Sequence, residues 1–399
     1  MRISCLDSIV ILSGVPRSWF SRLFLAGVER SRRIPRPLLS PLIILAILMP
    51  IVAVAAGAER SGSFSRRPSP ARVARAAGRS GYHLLKKIPL AGKETYWDYL
   101  EFDPARHRLF ISRGTKVVVL DVNSGTVAGE IPNTDGVHGI ALAPQLNRGF
   151  TSNGRANTVT IFNLKTLVVI GEVKVGMGPD AIVYDPASKR VFTMNGHGHD
   201  ATAIDAATGT VAGTIPLDGK PEFAVADGAG HVYANLEDKS EEVQLDSRKL
   251  TVTARWPVAP CEGPSGLAID RKHHRLFAGC GNQLMAVVDA DSGKVIASLP
   301  IGEGVDSNRF DPGTEFAFSS NGGAGGTLTV VHEDSPDKFS VVENVPTQQG
   351  ARTMALDPKT HEVFTVTADF GPPPAPTPER PHPRPSVIPD TFVVLVFGR

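Results

Sequence analysis

The chain has 399 residues, 42% of them hydrophobic, and it contains 39 Gly and 32 Pro. So many turn-forming residues, in a chain with few long helical stretches, favour short strands and an all-β fold. Residues 1–81 hold 13 Lys and Arg against 3 Asp and Glu, whereas residues 82–399 hold 29 against 37, a net charge of −8. An acidic folded part argues against a nucleic-acid partner, because binding a phosphate backbone needs a cationic face.

The first 58 residues have the features of a targeting segment. Basic residues at 30–36 precede an apolar run at 38–54, and the small residues AVAAGA at 53–58 suit a cleavage site. We therefore expect a signal peptide at 1–58, a mature chain that begins near Glu59 and a periplasmic or extracellular location. An uncleaved signal anchor, the only membrane contact we expect, is the alternative, and Val28 is an alternative start. Residues 59–81 have too little apolar content to fold and are predicted to be a basic, disordered linker.

A turn phrase recurs seven times between residues 82 and 399. In the copy DPASKRVFTMNG, Asp185 and Pro186 open a turn, and residues 190–194 alternate as a half-buried strand does. We call the first turn residue the anchor; successive anchors are 40 to 46 residues apart, a period typical of blades or solenoid units. The anchors are Asp103, Ala143, Asp185, Asp227, Asp270, Asp311 and Asp357. Six copies have an aromatic residue seven positions later: Phe110, Phe150, Phe192, Phe277, Phe318 and Phe364; the fourth copy has a shorter turn and Tyr233.

Each repeat carries signals for four strands with period-two alternation, which fits a propeller blade and not a helical repeat. The last copy ends after its third strand, at residues 391–399, and a matching fourth strand, HLLKKIPL at 83–90, precedes the first anchor. The sequence therefore predicts a seven-bladed β-propeller over 82–399, built of four-stranded antiparallel blades, in which the N-terminal strand completes the C-terminal blade. This closure removes exposed sheet edges.

The repeats GFTSNG (149–154), VFTMNG (191–196) and AFSSNG (317–322), with their D-P-x-x-x-R and D-x-x-T/S-G turns, resemble the YVTN repeats of YncE-like propellers. The resemblance covers about residues 82–399 and implies the seven-bladed architecture. It leaves the chemistry open, because this fold carries binding proteins, lactonases and redox enzymes. Members of this family are often described as DNA-binding, which the acidic body disfavours here.

Polar residues lie five positions before most anchors, where the first strand of each blade should reach one mouth of the central channel. Across each hairpin, the position ten after the anchor is expected to face them, and this position holds Asn in three repeats. The predicted ligand-binding set is Asp98, His138, Asp180, Glu222, Asp306 and Arg352, with Asn153, Asn195 and Asn321 across the hairpins. The alternative is that these residues hydrogen-bond neighbouring loops and that the Asn-Gly pairs only make turns. As a site, the carboxylates would attract a cation, an amine or a metal.

Three further segments carry candidate chemistry. His197, His199 and Asp200, in the loop NGHGHD, are weak candidates for metal ligands. Cys261 and Cys280 flank one hairpin and should form a disulfide in an exported chain, with buried free thiols as the alternative. The Pro-rich insertion at 371–390 must leave the last blade, on the same mouth as the polar residues, as a solvated insertion or as a lid or docking segment.

These features favour a monomeric binding or scaffold module over an enzyme. Its partner would be a small cationic ligand or a protein, and the sequence predicts no cofactor, although a divalent cation is possible. One alternative is a metal-dependent, lactonase-type hydrolase in which carboxylates and Asn hold a cation that polarises a carbonyl. A redox or cofactor-associated propeller is the other, although no C-x-x-C-H or G-x-S-x-G motif supports haem attachment or a serine hydrolase.

Overall fold

The computed structural model describes residues 80–377, 383 and 385–399. The signal segment predicted at 1–58 and nearly all of the linker predicted at 59–81 lie outside the described residues, as do 378–382 and 384 within the Pro-rich insertion. In the part of the chain that is described, no helix is long and apolar enough to span a membrane.

The described residues form 28 strands in seven four-stranded antiparallel sheets. Blade 1 consists of β2 (Leu100–Asp103), β3 (Arg108–Arg113), β4 (Lys116–Asp121) and β5 (Thr126–Ile131). Blade 2 consists of β6 (Val137–Ala143), β7 (Arg148–Asn153), β8 (Thr158–Asn163) and β9 (Val169–Lys174), with a 3-10 turn at Pro144–Leu146. Blade 3 consists of β10 (Pro179–Asp185), β11 (Arg190–Asn195), β12 (Asp200–Asp205) and β13 (Val211–Pro216). Blade 4 consists of β14 (Pro221–Ala226), β15 (His231–Leu236), β16 (Glu241–Asp246) and β17 (Thr251–Pro257). Blade 5 consists of β18 (Pro264–Asp270), β19 (Arg275–Cys280), β20 (Leu284–Asp289) and β21 (Val295–Pro300). Blade 6 consists of β22 (Val305–Asp311), β23 (Phe316–Asn321), β24 (Thr327–Ser335) and β25 (Lys338–Pro346). Blade 7 consists of β26 (Arg352–Leu356), β27 (Val363–Thr367), β28 (Val393–Gly398) and β1 (His83–Pro89).

The blades close into a ring, as the repeat count predicts. The first strands of successive blades contact one another, and β2 of blade 1 contacts β26 of blade 7. In blade 7, β1 pairs antiparallel with β28, so that Ile88 lies opposite Val394. The predicted closure by the N-terminal strand is therefore confirmed, and it covers the edge that β28 would otherwise expose.

The recurrent anchor Asp is explained by turn chemistry. Asp185 accepts hydrogen bonds from the backbone N–H groups of Ala187 at 3.1 Å and Ser188 at 3.0 Å, which fixes the tight turn between β10 and β11. The bond to the residue two positions later forms at all six anchor Asp residues. The second repeat has Ala143 instead, and its turn is the 3-10 segment.

The core lies within and between the blades. The six Phe residues at the seventh position after the anchor are all fully buried, and Tyr233 is 3% exposed. Between blades 1 and 7, Phe102 stacks on Phe364 with ring centroids 5.3 Å apart. Burial of such a side chain contributes about 2–3 kcal/mol to the stability of the fold. The repeated aromatic residues therefore stabilise the packing between blades as well as the packing within each blade.

The first hairpins of blades 2 to 7 differ from the predicted register at their mouth end. Asp185 pairs with Arg190 as expected, but a β-bulge between Pro179 and Ile182 shifts the pairing, so that Asn195 lies opposite Pro179 and not Asp180. Corresponding shifts place Val137 opposite Asn153 and Val305 opposite Asn321. The predicted pairing of the Asn residues with the polar ring is therefore wrong by one position, because each bulge inserts an extra residue into the first strand.

Candidate binding site at the ring mouth

The bulges place the polar residues of the first strands. In blades 2 to 6 the residue five positions before the anchor lies inside the bulged segment, where it leaves the ladder and its side chain can be redirected. We call the end of the ring that carries these residues the mouth; the anchor turns lie at the opposite end. The mouth cluster consists of the six predicted residues that lie five positions before their anchors: Asp98, His138, Asp180, Glu222, Asp306 and Arg352.

Three members of the mouth cluster, from blades 1, 2 and 3, meet at His138. Its Nδ1 lies 2.6 Å from Asp98 Oδ2 and 3.5 Å from Asp180 Oδ1. The hydroxyl of Tyr96 donates to the same oxygen of Asp98 at 2.9 Å. Potential ligand atoms of Asp98, His138 and Asp180 all lie within 4.8 Å of one another, a spacing that one metal ion can bridge.

The remaining members form two further ion pairs. Arg352 lies 3.6 Å from Asp306, and its guanidinium donates to the carbonyl oxygen of Trp97 at 2.9 Å. Glu222 lies 3.4 Å from the ammonium of Lys220. The mouth cluster together with Lys220 therefore holds four carboxylates and three basic groups, and Lys220 is shared with a fifth carboxylate, that of Glu237.

Crowding and burial change the protonation of these groups. Burial raises the pKa of Asp180 well above its usual value, and Asp98 and Glu222 raise it further, while His138 opposes the shift. Burial likewise raises the pKa of Glu222 to about 7, against the charge of Lys220. Burial disfavours the charged form of His138, but its hydrogen bond to Asp98 and the charge of Asp180 raise the imidazole pKa overall. Glu222 is therefore partly protonated near neutral pH, and a bound cation would displace its proton.

Tyr96 and Lys220 escaped the sequence prediction, although the repeat contains a signal for both. The position seven before the anchor is Gly in five repeats, and each of these glycines has a positive φ. Tyr96 and Lys220 are the two exceptions, and each contacts the carboxylate two residues later in the chain. In five repeats this position serves the backbone, through a glycine with a positive φ. In the other two it carries a side chain that reaches the mouth, and this exception marks Tyr96 and Lys220 as candidate site residues.

Two cavities adjoin the mouth cluster. Deeper in the ring, a cavity of about 240 Å³ is lined in part by Tyr99, Phe223 and Arg309. To the side, a cavity of about 560 Å³ lies between blades 1, 6 and 7 and the Pro-rich insertion. Its lining combines aromatic and aliphatic side chains, four glycines and the Asp306–Arg352 pair: Thr95, Tyr96, Trp97, Gly304, Val305, Asp306, Gly322, Gly323, Gln349, Gly350, Arg352, Phe370, Pro385 and Val387.

The Pro-rich insertion leaves blade 7 beside the mouth, as its position between β27 and β28 predicts. Phe370 and Val387 form an isolated bridge at its base. Both residues line the larger cavity, so the base of the insertion forms part of the wall.

The predicted Asn residues brace the blades from within. Asn153 and Asn195 are fully buried and Asn321 is 1% exposed. Their amides donate to threonine hydroxyls of the third strand, as from Asn153 to Thr160 at 2.8 Å and from Asn195 to Thr202 at 2.9 Å. These bonds stabilise the hairpins, and the described contacts join none of the three side chains to a carboxylate of the mouth cluster.

The predicted metal ligands and the predicted disulfide have different outcomes. In the described part of the chain, the ligand atoms of His197, His199 and Asp200 do not lie close enough together to hold one metal ion. Cys261 and Cys280 are bonded, with Cα atoms 5.4 Å apart, and both side chains are buried. The predicted disulfide is present because Cys280 lies opposite Pro264, which returns the chain to within three residues of Cys261.

The fold and this mouth define the class of the protein as a seven-bladed β-propeller. A structure of U3-55K aligns with 79% of this chain and 99% of its own at a TM-score of 0.65 and 9% identity. A crystal structure of the mitotic checkpoint complex aligns with 79% of this chain and 95% of its own at a TM-score of 0.61 and 13% identity. At such identities the similarity concerns the fold alone. No family model and no curated protein matches the sequence, and the relation to YncE-like proteins stays a prediction from the repeats.

Proposed function

We propose that the protein is an exported, YncE-like propeller that binds a small organic cation, or a cationic group of a larger partner, at its mouth. The observation that carries this proposal is the convergence of four carboxylates from four different blades with only three basic groups. The buried disulfide supports export, because such bonds persist in oxidising compartments.

The walls beside the carboxylates favour an amine that carries an apolar or aromatic group. Tyr96, Trp97 and Phe370 line the larger cavity next to Asp306. Aromatic faces attract cations and bury apolar groups, while the carboxylates supply the charge. Arg352 stays paired with Asp306 and would also receive an anionic group, so a zwitterion fits the same cavity.

The test is a thermal-shift measurement with choline, spermidine and phenethylamine as probes. We expect at least one probe to raise the melting temperature of the wild type, and the Asp180→Asn/Glu222→Gln double variant to lose this shift. Its unliganded melting temperature should stay close to that of the wild type, because mouth residues contribute little to the core. The control, Asp291→Asn/Glu315→Gln, alters exposed carboxylates of turns at the opposite end and should keep the shift.

A lower unliganded melting temperature with an intact probe shift would assign the carboxylates to structural caps. Absence of any shift in the wild type would remove support for an amine ligand.

The second candidate function is a metal-dependent hydrolase of lactonase type. It is favoured by the spacing of Asp98, His138 and Asp180, whose ligand atoms lie within 4.8 Å of one another. Two carboxylates and an imidazole suit Zn²⁺ or Mn²⁺, and such an ion would polarise a carbonyl. Lactone hydrolysis that depends on added metal and disappears in His138→Gln would establish this function in place of amine binding.

A further inference from the structure

A second carboxylate–histidine group lies at the opposite end of the ring, between blades 5 and 6. Asp270 is the anchor of blade 5, His273 belongs to the same turn, and Glu333 comes from β24 of blade 6. His273 Nδ1 lies 2.8 Å from Asp270 Oδ2 and 2.7 Å from Glu333 Oε1. Ligand atoms of the three side chains lie within 4.8 Å of one another.

The anchor of blade 6 has a similar contact between Asp and His, but with one carboxylate only. At the anchor of blade 6, Asp311 Oδ2 lies 2.8 Å from Nδ1 of His361, which comes from the turn of blade 7, and among the described residues this imidazole has no second carboxylate partner. One imidazole N–H suffices for that contact. At Asp270 the imidazole Nδ1 also faces a second carboxylate. Among the described residues, no other anchor belongs to a group of side chains whose ligand atoms are close enough to hold one metal ion.

The extra carboxylate is poorly compensated. The side chains of Asp270 and Glu333 are 3% and 1% exposed, and Glu333 Oε2 is buried with no hydrogen-bond partner in the described structure. The guanidinium of Arg275, whose charge acts on Glu333, donates its hydrogen bonds to Asp289, Asp337 and backbone carbonyls. An unsatisfied buried carboxylate oxygen is costly, and an ion is one of the few groups that would satisfy it.

We propose that Asp270, His273 and Glu333 bind a divalent transition-metal ion that joins blades 5 and 6. Asp270 Oδ2, His273 Nδ1 and the Glu333 carboxylate would supply the ligands, a donor set that suits Zn²⁺, Mn²⁺ or Co²⁺. The side chain of His273 is 21% exposed, which gives the ion a route from solvent.

The test uses Co²⁺ as probe and a His138→Ala background, which removes the imidazole ligand of the mouth group. We expect the background protein to bind one equivalent of Co²⁺ after dialysis, with a visible absorption band and a raised melting temperature. Glu333→Gln in this background should lose the equivalent, the band and the thermal shift. Its metal-free melting temperature should not fall, because the amide is nearly isosteric and leaves no buried charge.

The matched control is His361→Gln, which alters the single-carboxylate anchor and should leave Co²⁺ binding unchanged. Failure of the background protein to bind Co²⁺, or an unchanged equivalent in Glu333→Gln, would overturn the proposal and leave Asp270, His273 and Glu333 as an ion-paired cap. Neither result bears on amine binding at the mouth, which depends on other residues.

Discussion

Glu242 offers a test of how burial controls charge in this protein. It lies on β16 inside blade 4, is fully buried, and neither of its carboxylate oxygens has a hydrogen-bond partner among the described residues. Burial alone raises its pKa from 4.5 to about 8. Asn235, directly across on β15, has an amide oxygen that lacks a donor, so the protonated carboxyl has a possible acceptor opposite it. We therefore expect Glu242 to be neutral at pH 7.

The consequence is a loss of stability at alkaline pH. Because the folded state holds this proton more tightly than the unfolded chain does, the stability that it contributes is complete below pH 4.5 and is lost as the pH rises through about 8. A pKa unit corresponds to about 1.4 kcal/mol, and the linkage relation gives a loss of about 3 kcal/mol between about pH 6 and about pH 9. Glu242→Gln has no proton to lose at this position, so it should not show this loss of stability.

The assay is urea denaturation of the wild type, Glu242→Gln and the control Glu241→Gln at both pH values. We expect the wild type and Glu241→Gln to lose stability together, and Glu242→Gln to lose about 3 kcal/mol less. If all three curves shift in parallel between the two pH values, the carboxyl group of Glu242 does not carry the buried proton and the reasoning is refuted.

At the mouth, binding of phenethylamine measured by calorimetry should strengthen from about pH 6 to about pH 8, because Glu222, with a pKa of about 7, must lose its proton to bind a cation; a pH-independent affinity would argue against this site. Replacing Cys261 and Cys280 by Ser should cost about 3 kcal/mol in urea denaturation, since the bond closes a loop with a sequence separation of 19; an unchanged midpoint would show that the bond adds no stability. Deleting the closing strand His83–Pro89 exposes the edge of β28 and should cause aggregation detectable by light scattering; a soluble variant with wild-type stability would contradict closure by β1.

The sequence predicted the architecture because the relevant signals are local and repeated. An anchor Asp folds its own turn in six blades, and in six blades an aromatic residue seven positions after the anchor enters the core. Repetition at a fixed period makes both signals visible in one chain. The closure was predictable for the same reason, because the last repeat lacks a fourth strand and a matching strand precedes the first anchor.

The register at the mouth was not predictable in this way. Nothing in the residues around Pro179 or Val305 specifies the bulge that shifts the register there. Tyr96 and Lys220 were missed because they come from another position of the repeat, where they replace a turn glycine. His138 was predicted, but its contacts with carboxylates of two other blades were not. Such contacts depend on how the blades are arranged and not on any single repeat.

The most direct test of amine binding at the mouth is a calorimetric titration at about pH 8, in which Glu222 is charged. The probe is whichever of choline, spermidine and phenethylamine gives the largest thermal shift. The wild type should bind it at a single site, and Asp180→Asn/Glu222→Gln should weaken the affinity by at least about tenfold, which corresponds to about 1.4 kcal/mol. Equal affinities for the two proteins, or no binding heat from the wild type, would contradict the proposal that the mouth carboxylates bind a cation.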